Sequence, residues 1–137
     1  MANDIEARAL AVFQRLPELV AEDKHLMRRG RYMTVDFMVE IGEVPFLLSI
    51  SDGRLTEIER GPFLMQPWSF AIRGSVKAWS RFWEPTPKPG WNDLFAMMKR
   101  KEMRVEGDLS PFMAHLQYIK DLLAAPRCFL GRMDHGC

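Results

Sequence analysis

The residues that most often carry out chemistry in proteins are few in this chain and form no recognised active-site pattern. None of the three histidines, His25, His115 and His135, has a second histidine, cysteine or acid at the spacing of a metal site. The chain contains neither the G-x-S-x-G segment of a serine hydrolase nor a glycine-rich phosphate loop. Asp108 could act as a general base, but its position in a turn before an amphipathic segment favours a helix cap. We therefore expect no catalytic residue, no metal and no cofactor.

Composition and charge narrow the class of protein. The 137 residues suffice for one domain with a buried core, and 47% apolar and 27% charged residues are typical of a soluble globular protein. A formal net charge of +1 provides no overall field that would attract nucleic acid. No segment predicts a signal peptide or a membrane span. Cys128 and Cys137 lack metal-type spacing, and nothing in the sequence requires a disulfide between them. We therefore expect a cytoplasmic protein and leave open whether the two cysteines pair.

The stretch from Trp91 to Pro126 predicts a helix, a short strand and a second helix. Met103–Glu106 alternates apolar and polar residues, as a half-buried strand does. Ser110 and Pro111 predict the start of the last helix, which we expect to end before Pro126. One apolar stripe follows this helix, formed by Phe112, Leu116, Ile119 and Leu123. From its periodicity alone, the stripe indicates an ordinary core face.

The preceding residues predict short helices followed by strands. Helical patterns cover residues 4 to 27, and strand patterns then dominate. The predicted strands are Tyr32–Ile41, Val44–Ser51, Arg54–Arg60 and Ser69–Arg73, and a helix from Ser75 to Trp83 follows them. Short turns between successive strands favour antiparallel neighbours. This order predicts an α+β sandwich, in which a mainly antiparallel sheet of about five strands is covered on one face by helices.

This order of elements resembles the SCP2 (sterol carrier protein 2) family between Gly30 and Ala125. The matching signals are the Ser51-Asp52-Gly53 turn, the Gly61-Pro62 break, the strand before the helix Ser75–Trp83, and the segment Val105-Glu106-Gly107-Asp108. The resemblance implies an N-terminal helical segment (1–29), an SCP2-like lipid-binding domain (30–126) and a polar C-terminal tail (127–137). The proline-rich loop Glu84–Gly90 and the segment Lys101–Met103 depart from the family pattern, which leaves the size of a ligand tunnel open.

Because SCP2 proteins hold a lipid tail between helices and sheet, the resemblance implies a non-enzymatic lipid-binding protein. The ligand would be a sterol, fatty-acyl or isoprenoid tail, and ten methionines would suit an adaptable apolar lining. The expected ligand-binding residues are Phe82, Trp83, Leu94, Phe95, Met98, Phe112, Leu116 and Ile119. Phe63, Met65 and Trp68, in the apolar loop after Gly61-Pro62, are expected to form a lip.

Other interpretations of the same residues stay open. The basic run Lys99-Arg100-Lys101, with Arg104, indicates either a helix end facing water or a transient contact with an anionic membrane. With a filled core, the apolar loop could instead bind a lipid-metabolising enzyme, and the chain would be an accessory factor of lipid or quinone metabolism. A hydrolase or isomerase of a hydrophobic substrate would need His115 or Asp108 as its proton carrier.

Overall fold

Seven helices and five strands form the described part of the chain in the computed structural model, residues 2–21, 23–61, 67–84, 89–91 and 93–134, with side chains described from residue 7 to residue 127 of these ranges. The helices are α1 (Ala2–Gln14), α2 (Leu16–Val20), α3 (Lys24–Arg29), α4 (Val76–Phe82), α5 (Leu94–Lys99), α6 (Leu109–Ala114) and α7 (Leu116–Asp134). The strands are β1 (Val35–Ile41), β2 (Val44–Ser51), β3 (Arg54–Arg60), β4 (Phe70–Gly74) and β5 (Met103–Gly107). No helix within these ranges is long and apolar enough to cross a membrane.

The five strands form one sheet in the order β3-β2-β1-β4-β5. Neighbouring strands are antiparallel except β1 and β4, which run parallel. The predicted α+β sandwich with a mainly antiparallel sheet is therefore confirmed. The sequence did not predict the parallel pair, because the signals for short turns connect only strands that follow each other directly.

One face of the sheet packs against the helices. Alternate residues of a strand point to the same face, and the inward positions of β1, β2 and β4 are buried and apolar. They are Phe37, Val39, Ile41, Phe46, Leu48, Ile50, Phe70 and Ile72. On the opposite face Arg73 forms ion pairs with Glu40 (2.6 Å) and Glu106 (3.2 Å), which connect β1, β4 and β5.

Two side chains cap the helices that follow strands. The Ser75 hydroxyl accepts a hydrogen bond from the Ala78 N–H (3.0 Å) at the start of α4. The Asp108 carboxylate accepts from the Ser110 N–H (3.0 Å) at the start of α6, so the interpretation of Asp108 as a cap is confirmed. The prediction that Ser110 itself begins the helix was wrong, because α6 already includes Leu109.

The last helical segment differs from the prediction at both ends. It is divided at His115 into α6 and α7, and α7 continues through Pro126 to Asp134 instead of ending before the proline. A proline inside a helix removes one backbone hydrogen bond and costs stability, but contacts with α4 support the helix here. The Leu123 carbonyl accepts the Trp83 indole N–H (2.7 Å), and the Arg127 guanidinium donates to the Phe82 carbonyl (2.7 and 2.9 Å).

Replacing Asp108 by alanine tests the assignment of the α6 cap. We expect Asp108→Ala to lower the free energy of unfolding by about 1 kcal/mol, because a backbone N–H loses its side-chain acceptor. Ser110→Ala should change it by no more than about 0.5 kcal/mol, since this hydroxyl makes no cap. Urea denaturation monitored by circular dichroism measures both. Equal losses in the two variants would contradict the assignment.

Candidate functional site

An aromatic cluster joins the N-terminal helices, the sheet and α4. Phe13 packs edge-on against Phe46 of β2, with ring centroids 5.1 Å apart, and stacks on Trp83 at 5.7 Å. Trp79 lies 5.2 Å from Trp83 and donates its indole N–H to the Glu40 carbonyl (3.0 Å). Both indole N–H groups have a carbonyl acceptor, and all four rings are no more than 1% exposed, so the cluster is packed tightly between α1 and the sheet.

Five of the residues predicted to line a lipid site lie in this packed core. Their exposed fractions do not exceed 1%, and they are Phe82, Trp83, Leu94, Phe112 and Ile119. Their immediate neighbours are other buried side chains: Phe112, for example, contacts Phe70 at a centroid distance of 5.5 Å. These five residues therefore form part of the wall between helices and sheet.

Three further predicted residues lie at the border of the core. Phe95, Met98 and Leu116 are half-buried and pack against the core cluster. The Phe95 ring contacts Phe112 (6.3 Å between centroids), and the Lys120 ammonium lies 4.9 Å from its ring centroid. Of the predicted lip, Trp68 is half-buried, and Phe63 and Met65 lie outside the described residues.

A cleft opens between the helices and the sheet at a different place from the predicted site. It has a volume of about 340 Å³ and lies where α2 and α3 pass over the edge strand β3. Its lining is mostly apolar and consists of Pro17, Val20, Ala21, Leu26, Met27, Gly53, Arg54, Leu55 and Thr56. Val20 and Leu26 also belong to the buried core, so the cleft reaches the apolar layer between helices and sheet.

Tyr118 of α7 holds the walls of this cleft together. Its hydroxyl donates to the Gly53 carbonyl (2.9 Å) in the turn between β2 and β3. Its ring lies against Gly30, where a Cβ atom would come within 2.5 Å of it. Gly53 has a φ of +80°, and a Cβ there would meet the backbone of Gly30 and Met27 at 2.6 Å. Only glycine at both positions allows α3, α7 and this turn to approach so closely.

Sequence reasoning missed Tyr118 as a structural determinant. The Ser51-Asp52-Gly53 turn was recognised, but no local pattern connects it to a residue 65 positions beyond Gly53. Burial raises the pKa of the Tyr118 phenol to about 12, because the charged phenolate would be desolvated. The folded state therefore requires the neutral, hydrogen-bond-donating form.

A second, more polar groove of about 290 Å³ lies between α4, α5 and α7. Phe82, Leu94 and Ala124 contribute its apolar surface, and polar side chains surround them. Lys120 pairs with Asp93 (2.7 Å) at the rim. Arg127 lies over the Phe82 ring and bonds its carbonyl, and burial lowers the pKa of this guanidinium. Lys120 and Arg127 thus already have partners within the protein, so neither needs a ligand to balance its charge.

The two residues considered for catalysis lie at the two ends of α6. The Asp108 carboxylate accepts the Ser110 N–H as the cap of α6. His115 is half-buried at the joint between α6 and α7, where its backbone N–H donates to the Pro111 carbonyl. Among the described residues, no group of three or more His, Cys, Asp or Glu side chains could hold a metal ion.

Comparison of the whole fold with solved structures identifies its class. A crystal structure of sterol carrier protein 2 matches with a TM-score of 0.69 at 12% identity, over 85% of this chain and 94% of its own. The conserved hypothetical protein TT1886 of Thermus thermophilus matches with a TM-score of 0.62 at 11% identity, over 85% and 86% of the two chains. The SCP2 domain of UbiJ, described as a ubiquinone synthesis protein, matches with 0.57 at 13% identity, over 88% and 96%.

These matches show that the chain has an SCP2-like fold, as its resemblance to that family implied. The likeness is one of structure: no protein-family model matches the sequence, and no curated protein matches it either. With identities of 11–13% the matches establish the fold, and the function has to be argued from this chain's own residues.

The two tyrosines allow the Tyr118 contact to be tested by pH. Tyr32 is exposed, and a hydrogen bond and the positive charge of Arg31 lower its pKa. We expect Tyr32 to ionise first and Tyr118 only as the pH approaches about 12, above its ordinary value of 10.0. Absorbance titration of the phenolate should therefore show two steps, of which Tyr118→Phe removes the later and Tyr32→Phe the earlier.

The same shift makes stability depend on pH. Because the pKa of the Tyr118 phenol is raised in the folded state, its protonated form stabilises the fold. This contribution is fully present below pH 10 and is lost as the pH rises towards about 12. Between these values the free energy of unfolding should fall more steeply for the native sequence than for Tyr118→Phe. One common ionisation step near pH 10, together with parallel stability curves, would contradict the burial of this phenol.

Proposed function

We propose that this protein is a non-enzymatic lipid-binding protein that holds an apolar tail in the cleft between α2, α3 and β3. The observation that carries the proposal is an open apolar cleft of about 340 Å³ that reaches the layer between helices and sheet. Its volume is within the range of small-molecule sites in proteins. The SCP2-like fold supports the same function, since one of the matching structures is a sterol carrier protein 2.

Apolar burial alone can provide useful affinity. Each CH₂ group removed from water contributes about 0.8 kcal/mol, so about ten groups would correspond to micromolar binding before the entropy lost on association is subtracted. Met27 and Leu55 are half-buried, and both line the cleft. A flexible methionine beside a branched aliphatic side chain can adapt to tails of different shape.

Arg54 favours an anionic head group on the ligand. Its side chain lines the cleft and is exposed, and it forms no ion pair with any other described residue. A guanidinium binds a carboxylate through two parallel hydrogen bonds. A fatty acid, with its tail against Leu55 and its carboxylate at Arg54, therefore fits the cleft better than an uncharged sterol, and we place such a carrier in the cytoplasm.

The residues predicted from the sequence define a rival position for the tail. Phe95, Met98 and Leu116 border the core near α6 and are only half-buried. An apolar tail could reach the wall formed by Leu94 and Phe112 if these three side chains moved apart. The two positions involve different helices, so substitutions can distinguish them.

A second candidate function is that of an accessory factor that binds a protein. The tight packing of five predicted lining residues, each no more than 1% exposed, favours this alternative, because a filled core leaves no tunnel through the layer. The fold match with UbiJ, described as a ubiquinone synthesis protein, is consistent with a role beside an enzyme of lipid or quinone metabolism. The two candidates differ in whether the protein alone binds a lipid.

Filling the cleft with a large side chain tests the proposed function. Ala21 is exposed at the cleft, so Ala21→Trp should occupy the space of the tail and weaken binding of a fluorescent fatty acid at least tenfold. Ala11→Trp is the matched control, because Ala11 is an exposed alanine of α1 outside the cleft. Equal affinities in both variants, or no binding by the native sequence, would overturn the proposal.

A pair of methionine variants tests the rival position. Met98→Gln places a polar amide at the half-buried border near α6, whereas Met113→Gln makes the same change at a side chain that is 54% exposed. If the tail occupies the cleft, both variants should bind the fluorescent fatty acid as tightly as the native protein. Weaker binding by Met98→Gln alone would move the tail to the position predicted from the sequence.

A further inference from the structure

A basic surface lies beside Trp91, where Arg81 of α4 and Arg100 at the end of α5 contact the same ring. It consists of Lys77 and Arg81 from α4, and of Lys99, Arg100 and Lys101 at the end of α5. The guanidinium carbons of Arg81 and Arg100 lie 4.8 and 4.4 Å from the centroid of the Trp91 ring. One indole therefore holds cations from two helices close together, an arrangement that the basic run at residues 99–101 did not reveal.

The charge of the basic surface is not balanced locally. None of its five cations forms an ion pair with a described carboxylate, and Glu84 and Glu102, which lie nearest in sequence, are among those carboxylates. Since the formal net charge of the whole chain is +1, the remaining residues carry a net charge of −4. Like charges held together cost free energy unless an anion or salt screens them.

Helix dipoles account for only part of this clustering. A cation in the last turn of a helix is favourable, which applies to Arg81 in α4 and Lys99 in α5. Lys77 lies in the first turn of α4, where the dipole disfavours positive charge. It is four residues before Arg81 and hence on the same side of the helix. Lys77 therefore adds a charge to the basic surface although its interaction with the α4 dipole is unfavourable.

We propose that this basic surface docks the protein on an anionic lipid bilayer. The choice of a membrane as partner rests on the proposed function, because a lipid carrier must meet a bilayer to exchange its ligand. Lys77, Lys99, Arg100 and Lys101 are exposed and can reach phosphate groups, while Trp91 is only 8% exposed and stays in the protein. Docking is therefore electrostatic, and each lysine or arginine strengthens it by about fivefold.

The chain has a second basic cluster, formed by Lys24, Arg28, Arg29 and Arg31 on α3 and directly after it, that provides a comparison. It borders a depression lined by His25, Arg28, Arg29, Arg31 and Tyr32. Two of its arginines are already engaged: Arg29 pairs with Asp121, and Arg31 donates to the Arg28 carbonyl. Substitutions in this cluster change the net charge equally without affecting the basic surface.

Vesicle flotation with two double variants tests the docking surface. The probe is vesicles of phosphatidylcholine with 30% phosphatidylglycerol, compared with phosphatidylcholine alone. Lys77→Glu with Lys99→Glu should lower the partition constant for anionic vesicles at least 25-fold, and 0.5 M salt should abolish binding of the native protein. Lys24→Glu with Arg28→Glu should lower it less than fivefold. Thermal melts monitored by circular dichroism confirm that both variants fold.

Three results would overturn the proposal. They are equal losses in the two double variants, equal binding to neutral and anionic vesicles, and tighter binding to single-stranded RNA than to anionic vesicles. The fatty-acid affinity of Lys77→Glu with Lys99→Glu separates this proposal from the proposed function, because that variant leaves the cleft unchanged. Vesicle docking without fatty-acid binding would overturn the carrier function only, and fatty-acid binding without docking would overturn the basic surface only.

Discussion

The packing of Phe13 between Phe46 and Trp83 is the contact on which the arrangement of layers depends. It connects α1 to β2 and to the end of α4 through three rings that are no more than 1% exposed. The Trp83 indole N–H then bonds the Leu123 carbonyl and joins α7 to the same group. Because aromatic side chains bury large apolar areas and pack in specific geometries, this cluster fixes the distance between helices and sheet.

That distance determines where the layer between helices and sheet stays open. Aromatic rings fill the layer beneath α4, whereas α2 and α3 cross the edge strand β3 with smaller side chains and leave the cleft. The bond from Tyr118 to Gly53 holds the far wall in place. The large side chains at the centre of the layer keep the helices away from the sheet, and the smaller side chains at its β3 edge leave the cleft open.

Local patterns predicted the strands well, and tertiary contacts explain the errors. The observed limits of β2 and β3 are those expected from the alternation and the turn at Ser51-Asp52-Gly53. The rule that helices end before proline failed at Pro126, because α4 supports the carbonyls and side chains around it. The cleft was not predicted, since its lining comes from two segments about thirty residues apart in sequence, and no local pattern shows that α2 and α3 pack against β3.

The central claim, that this protein alone binds a lipid tail, is tested most directly by native mass spectrometry of the freshly purified protein. The same sample is extracted with organic solvent, and the lipids are identified. We expect a near-stoichiometric adduct with a long apolar tail and an anionic head, which added fatty acid displaces. A mass equal to that of the 137-residue chain, unchanged after fatty acid is added, would contradict the claim and favour the accessory-factor alternative.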